Sequence, residues 1–371
     1  MTWLYRSIVL FLAVKLSNLL VNLWQFPVLS NSSRRPRAAP DTDVFTAGVA
    51  DNVISLLVPM RDETQRLRAT LPSLLNQNSH ELLILDDQSS DSSAALAAQL
   101  AQDHPHARVI TGVPAPAGWV GKNWACHQLA SHASGSILVF CDADILLAPG
   151  ALMAVMAEMA AQQADVFSVF PMQITRSAGE QLLVPLIDDV LLCFLPFFLL
   201  SRDVPAAATA NGSLIAFTQA AYRDLGGFAA VRGELVEDVA IARRVRRAGL
   251  VLGLALGGDL VRTRMYDGYR QVVAGLARGL LPVTGGSRGR LAAAACWHVL
   301  AYAMPALLFH RDRRWLLPLS LGMVERALVE TKTGRRRIWQ ICWTPLAPLA
   351  AIPLFLQAMR RTQHWAGRRY S

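Results

Sequence analysis

The sequence predicts an α/β fold built on a mostly parallel sheet, carried by transmembrane helices at the N- and C-terminal ends of the chain. Three observations predict it. Short, continuous apolar runs alternate with helical patterns through the middle of the chain, and strands that read as unbroken hydrophobic runs belong to parallel sheets covered on both faces. Both ends are strongly apolar, beginning with "WLYRSIVLFLAVKLSNLLVNLWQFPVL" at residues 3–29, long enough to span a bilayer. Finally, 53% of the 371 residues are hydrophobic and the mean hydropathy is +0.31, values between those of a soluble domain and of a membrane bundle.

Taken in order, residues 1–30 form an N-terminal transmembrane helix. Lys15, Asn18, Asn22 and Gln25 recur at three- and four-residue spacing, so a helix places them on one face, turned from lipid towards protein. No small-x-small cleavage site follows, which argues against a signal peptide. Residues 31–52, with "NSSRRPRAAPDTD", read as a polar, basic linker. The sheet domain is expected over 53–285. Its strands are "VISLLV" (53–58), "LLILD" (82–86), "ARVIT" (107–111), "ILVFCD" (137–142) and "DVFSVF" (165–170), with helices at 62–78, 91–102, 122–133 and 149–163. Within it, "LLVPLIDDVLLCFLPFFLL" (182–200) is apolar but interrupted by Asp188 and Asp189, which fits a membrane-interfacial segment or a buried core helix. Residues 286–371 read as a C-terminal membrane region with candidate spans at 291–309 and 338–359 and a shorter, charged stretch at 315–329.

A net charge of +9 suits nucleic acid or an anionic membrane. The arginines lie beside the apolar segments, as in Arg34, Arg35 and Arg37, and no nucleic-acid motif is present, so the membrane is the expected partner. Three arginines follow the first helix and one precedes it, which places the sheet domain on the cytoplasmic side of the cell membrane. The five cysteines show no zinc or disulfide spacing and read as buried free thiols.

Chemistry concentrates at the carboxyl ends of the expected strands, where such sheets bind ligands. "VPMRDE" (58–63) follows the first strand, "LDDQSSDSS" (85–93) the second and "CDAD" (141–144) the fourth; "ELVEDVAIARRVRRAG" (234–249) comes much later. Two aspartates one residue apart, Asp142 and Asp144, can share a divalent cation, and Mg²⁺ or Mn²⁺ accepts oxygen ligands completed by substrate phosphates. In "GWVGKNWAC" (118–126), Lys122 stands at a helix N-terminus, an awkward place for a cation but a useful one for a phosphate contact. The arginines 243, 244, 246 and 247 read as a solvated or phosphate-facing surface, and Arg264 as a diphosphate contact or a strand end.

The order and spacing of these motifs resemble a membrane-bound family-2 glycosyltransferase of the GT-A (Rossmann-like) fold, over roughly residues 53–280. The Trp-x-Gly-Lys stretch is similar to members that glycosylate lipids such as carotenoids or hopanoids. The resemblance implies that Pro59, Arg61 and Glu63 hold the nucleotide base and ribose, that Asp86 or Asp87 binds the base, and that Asp91 opens the next helix. It implies that Asp142 and Asp144 hold a metal bridging the donor diphosphate, and that Glu237–Asp238 is the catalytic pair with Asp238 as general base. "TANGSLIAF" (209–217) is similar to the acceptor-side strand, where Gly212 lets substrate approach closely; Asn211 is either a polar contact or a turn residue.

A metal neutralises charge on the nucleoside diphosphate leaving group, and a carboxylate activates the acceptor hydroxyl. With base and metal on opposite faces of the sugar, the displacement inverts the anomeric carbon. The expected activity is therefore an inverting, metal-dependent hexosyl transfer of one sugar from a nucleotide-sugar donor to a lipid acceptor of carotenoid, hopanoid or polyprenol type, at the cytoplasmic membrane face. The alternatives are a processive polysaccharide synthase and a non-catalytic membrane scaffold that binds nucleotide-sugars. The Gln-x-x-Arg-Trp motif of processive synthases is absent from "TRMYDGYRQVVAGLARG" (263–279), and every expected carboxylate is present.

Overall fold

The computed structural model describes residues 2–30, 53–200, 208–335 and 338–360, together with 363–365 and 368–370. The expected linker, 31–52, lies outside the described residues. The chain forms two compact units. A sheet unit comprises Phe26–Met172 and Phe198–Thr263, and a helical unit comprises Met1–Gln25, Gln173–Phe197 and Arg264–Ser371. This division is discontinuous, whereas the sequence reading drew one continuous boundary at 53–285: residues 173–197 and 264–285 pack with the helical unit.

The strands of the sheet unit are β1 (Ile54–Met60), β2 (Glu81–Asp86), β3 (Ala107–Thr111), β4 (Ile137–Cys141), β5 (Ile145–Leu147), β6 (Val166–Phe170), β7 (Leu214–Thr218), β8 (Leu252–Leu256) and β9 (Val261–Thr263). Seven of them form a mixed sheet in the order β3-β2-β1-β4-β7-β6-β8. β1 to β4 pair in parallel, as do β6 and β8, while β7 runs antiparallel to both its neighbours. β5 and β9 form a small antiparallel ladder. β4 and β8 are buried at every residue, so helices must cover both faces. Leu56, Val58, Leu82, Ile84, Val139, Phe167 and Val169 carry the core. Each contributes about 1.5–3 kcal/mol by leaving water.

Topology positions the chemistry. Because β7 is antiparallel, its N-terminal end meets the carboxyl end of β4, with Leu214 opposite Cys141. Segments far apart in sequence, 142–144 and 211–213, are thereby brought side by side: the Asp142 amide donates to the Ser213 carbonyl at 2.9 Å.

In the helical unit, Thr2–Gln25 is a single helix, and among the described residues it is the one long and apolar enough to cross a membrane. Its polar face meets protein as the spacing predicts. The Lys15 ammonium donates to Asp189 (2.9 Å), Glu325 (3.0 Å) and the Tyr302 hydroxyl (2.5 Å). The Asn22 side-chain amide donates to the carbonyls of Leu192 and Leu195.

The expected C-terminal spans are not single helices. Residues 338–359 divide into Ile338–Trp343, Ala347–Ala350 and Ile352–Ala358, because Pro345, Pro348 and Pro353 each remove a helical donor. Pro305 similarly separates Arg288–Tyr302 from Met304–Leu308. The stretch 182–200 is likewise not one helix: a helix ends at Leu183, Pro185 opens a second that runs to Phe194, and after Pro196 a short turn of helix covers Phe197–Leu200. Cys126, Cys141 and Cys193 are buried free thiols as expected, but Cys296 and Cys342 are exposed.

Candidate active site

The carboxyl ends of β1 and β4, the start of β7 and the N-termini of two helices meet at one small cavity. Its lining includes Pro59, Lys122, Asp142, Gly212, Glu237 and Asp238. Lys122 lies in the first turn of helix Gly121–His132, and Glu237 and Asp238 open helix Glu237–Arg247. Acids are favoured at a helix N-terminus by the exposed amides there. The same position turns them to the cavity, which both line.

The contacts are short and reciprocal. Lys122 Nζ lies 2.8 Å from Asp142 Oδ1 and 3.1 Å from Glu237 Oε1, and donates to the Gly212 carbonyl at 3.3 Å. The Gly212 amide donates to Asp238 Oδ2 at 3.0 Å, and the Val239 amide to Asp238 Oδ1 at 2.7 Å. Gly212 is glycine for a steric reason: a Cβ there would stand 3.0 Å from Glu237 Oε1 and 3.3 Å from Asp238 Cβ. Asn211 acts as a turn residue, its side-chain oxygen accepting from the Ser213 amide at 2.9 Å and its own amide donating to Ser168 Oγ at 2.7 Å.

Burial raises the pKa of Asp238 to about 6, with the neighbouring charge of Glu237 adding to the effect and the two amide donors opposing it. Asp144 is also pushed up to about 6, by burial and then by Asp142. Glu63 reaches about 7, again through burial first; Arg66, 3.3 Å away, opposes the rise, and the charges of Asp144 and Asp142 reinforce it. Glu63 is thus electrostatically part of the Asp142–Asp144 cluster. Burial works against the Lys122 charge, yet Asp142 and Glu237 hold its pKa well above the ordinary lysine value.

The other expected donor residues lie in the loops after β1 and β2. Arg61 Nη1 donates to the Asp87 carbonyl at 3.0 Å and stands 3.5 Å from its carboxylate, while the Asp87 amide donates to the Met60 carbonyl at 2.8 Å. The Asp86 carboxylate accepts from the Ser89 amide at 3.3 Å. Asp91 accepts from the amides of Ser93 and Thr64, and Ser93 Oγ in turn accepts from the Glu63 amide at 2.7 Å. Ser93 therefore fixes Glu63, a role absent from the sequence reading; the Ser-rich "SSDSS" run (89–93) was its only signal.

Two arginine expectations resolve differently. Arg246 is buried rather than solvated, donating to the carbonyls of Leu200 (2.7 Å) and Leu252 (3.1 Å), because it falls on the inner face of its helix with Ala242 and Val245. Arg264 pairs within the helical unit with Asp267 (2.9 Å) and Glu180 (3.5 Å).

The sheet unit has a GT-A-like mixed α/β architecture. A mannosyltransferase from Pyrobaculum calidifontis, solved in complex with GDP-Man and Mn²⁺, superposes with a TM-score of 0.53 at 15% identity, covering 96% of this chain and 99% of the other, a likeness of fold alone. The family model of glycosyl transferase family 21 matches residues 9–267, and the chain belongs to that family of glycosyltransferases. The motif reading had placed it beside family-2 enzymes that modify lipids such as carotenoids. Among curated proteins it is similar to a 4,4'-diaponeurosporenoate glycosyltransferase of Staphylococcus haemolyticus, at 27% identity over 63% of this chain and 62% of the relative. It is also similar to one of Staphylococcus aureus (strain MRSA252), at 24% identity over 86% and 88%.

Proposed function

We propose that the chain transfers one sugar from a nucleotide-sugar to an apolar, carotenoid-type acceptor at a membrane, with inversion at the anomeric carbon. The observation that carries this reading is the convergence of Asp142 with Glu237–Asp238 on one cavity at the strand ends. The names of the two staphylococcal relatives support the acceptor class.

The residues present fit a divalent cation. Asp142 and Asp144 offer only oxygen donors, the ligand type Mg²⁺ and Mn²⁺ select, and Asp144 is pushed up first by burial and then by the neighbouring charge of Asp142, which a bound cation would relieve. These two side chains would hold the ion, which when bound supplies charge neutralisation for the leaving diphosphate. Pro59, Arg61, Glu63, Asp86 and Asp87 form the donor side. Asp238 accepts the proton of the acceptor hydroxyl. Its burial suits the task, because a base whose pKa is lifted from the ordinary carboxylate range binds that proton better. The Gly212 and Val239 amides fix its orientation. The helix Thr2–Gln25 anchors the chain in the cell membrane, and the arginines that follow it keep the sheet unit cytoplasmic.

The test is transfer by the purified full chain in detergent, supplied with Mn²⁺ or Mg²⁺, a panel of nucleotide-sugars and a carotenoid alcohol, whose hydroxyl carries the proton that Asp238 accepts. One glycosylated product that disappears with EDTA and with Asp142→Ala or Asp238→Asn is expected. Full transfer by both variants overturns the assignment of roles.

A further inference from the structure

The Lys122 ammonium lies among three protein oxygens: it pairs with Asp142 Oδ1 at 2.8 Å and Glu237 Oε1 at 3.1 Å and donates to the Gly212 carbonyl at 3.3 Å. We propose that Lys122 is a positioning residue that ties the metal-side carboxylate Asp142 to the acceptor-side helix start at Glu237, rather than a ligand of the donor phosphates. The inference rests on the proposed function for the meaning of the two sides.

A lysine that grips phosphate must turn its ammonium towards it, and this one is turned onto two carboxylates and a carbonyl of the protein itself. What it grips is informative. Asp142 follows β4, Glu237 opens the late helix, and Gly212 precedes β7, three segments no other ion pair among the described residues joins. Gly212 passes the constraint on, because its amide donates to Asp238. One cation thus sets the separation of Asp142 from Glu237, and through Gly212 the position of Asp238. Without it, two carboxylates that share one ammonium would repel each other across a poorly solvated gap.

The experiment uses the full chain with Lys122→Met and Lys122→Arg. Three quantities are read: Mn²⁺ affinity by electron paramagnetic resonance titration without nucleotide, affinity for UDP and GDP in EDTA by calorimetry, and kcat and donor KM. For Lys122→Met, Mn²⁺ should bind about tenfold tighter, because Asp142 loses a competing unit charge. Affinity for the nucleoside diphosphate in EDTA should be unchanged. A displaced Asp238 should lower kcat about a hundredfold with little change in KM. Lys122→Arg keeps the charge but cannot bring one nitrogen close to all three oxygens, so it should restore wild-type Mn²⁺ affinity and recover only part of kcat. The proposal is overturned if diphosphate affinity in EDTA falls about tenfold or more while Mn²⁺ affinity stays unchanged. Should Lys122→Met not fold, Lys122→Arg decides by the same diphosphate reading. Should the wild-type chain bind no nucleotide and turn nothing over, the function reading fails, and the Mn²⁺ comparison still tests Lys122.

Discussion

Asp238 is held by two backbone amides, from Gly212 and Val239, and burial lifts its pKa to about 6. A base works only when ionised, so the sign is fixed: kcat/KM should rise with pH, reach half its limit near pH 6 and level off above about 7. A pH profile that stays flat from 5 to 8 would remove Asp238 from that role. Asp238→Asn keeps the shape but leaves only one acceptor oxygen for two amides, and should lose about 10²–10⁴ of the rate. At Gly212 the argument is steric. Gly212→Ala places a methyl 3.0 Å from Glu237 Oε1. It should cut kcat more than donor KM, measurable in a steady-state comparison, while leaving the melting temperature within a few degrees. At this scale the sequence was legible where a carboxylate announces itself by its strand end, as Asp142 and Asp144 do, whereas Asp238, at a helix start, was legible only through the resemblance. It was not legible where the meaning depends on a partner remote in the chain. The pairing of Lys122 with Asp142 and with Glu237 belongs to pairs 20 and more than 100 residues apart, not to any one residue.

The elements the sequence displayed clearly are those whose propensity and environment agree. β1, β2, β4 and β6 are continuous apolar runs and were found within a residue or two. β8, "LGLAL", was missed because its glycine weakens the strand signal. Packing explains the glycine: a Cβ at Gly253 would lie 2.6 Å from Phe167 Cδ2 and 2.8 Å from the Ala164 methyl. The prolines of the 338–359 stretch were visible, yet the length of the apolar run outweighed them, and the reading gave one helix where the backbone makes three. The polar face of Thr2–Gln25 was legible from spacing alone, and it supports a prediction about the helical unit. Lys15 is buried between Asp189 and Glu325. Lys15→Met leaves those carboxylates uncompensated and should destabilise the unit by about 3–5 kcal/mol. A thermal melt in detergent measures this; a transition equal to the wild type would show that the ammonium contributes nothing to the packing.

For the whole molecule, the question is what the proposed apolar acceptor would require of the enzyme. A carotenoid-type lipid is effectively absent from water, so its glycosyltransferase must work where the lipid is dissolved. A 24-residue helix is about 36 Å long, slightly more than the roughly 30 Å hydrocarbon layer. Its outward residues include Trp3, Leu10, Val14 and Trp24, all more than half exposed, with the tryptophans near the two ends, where membrane interfaces favour them. Under the proposed function, attachment by this helix is hydrophobic rather than electrostatic, despite the net charge of +9. The two mechanisms separate under washing. High salt screens the attraction between arginines and anionic headgroups within a few ångströms, but leaves apolar burial intact. Membranes from cells expressing the full chain should therefore keep it in the pellet through 1 M salt (roughly a 3 Å screening length) and through alkaline carbonate, and release it with detergent. Release by salt alone would make the chain a peripheral protein held by its basic surface, and the helix would then have to be a packed element of the fold and not an anchor.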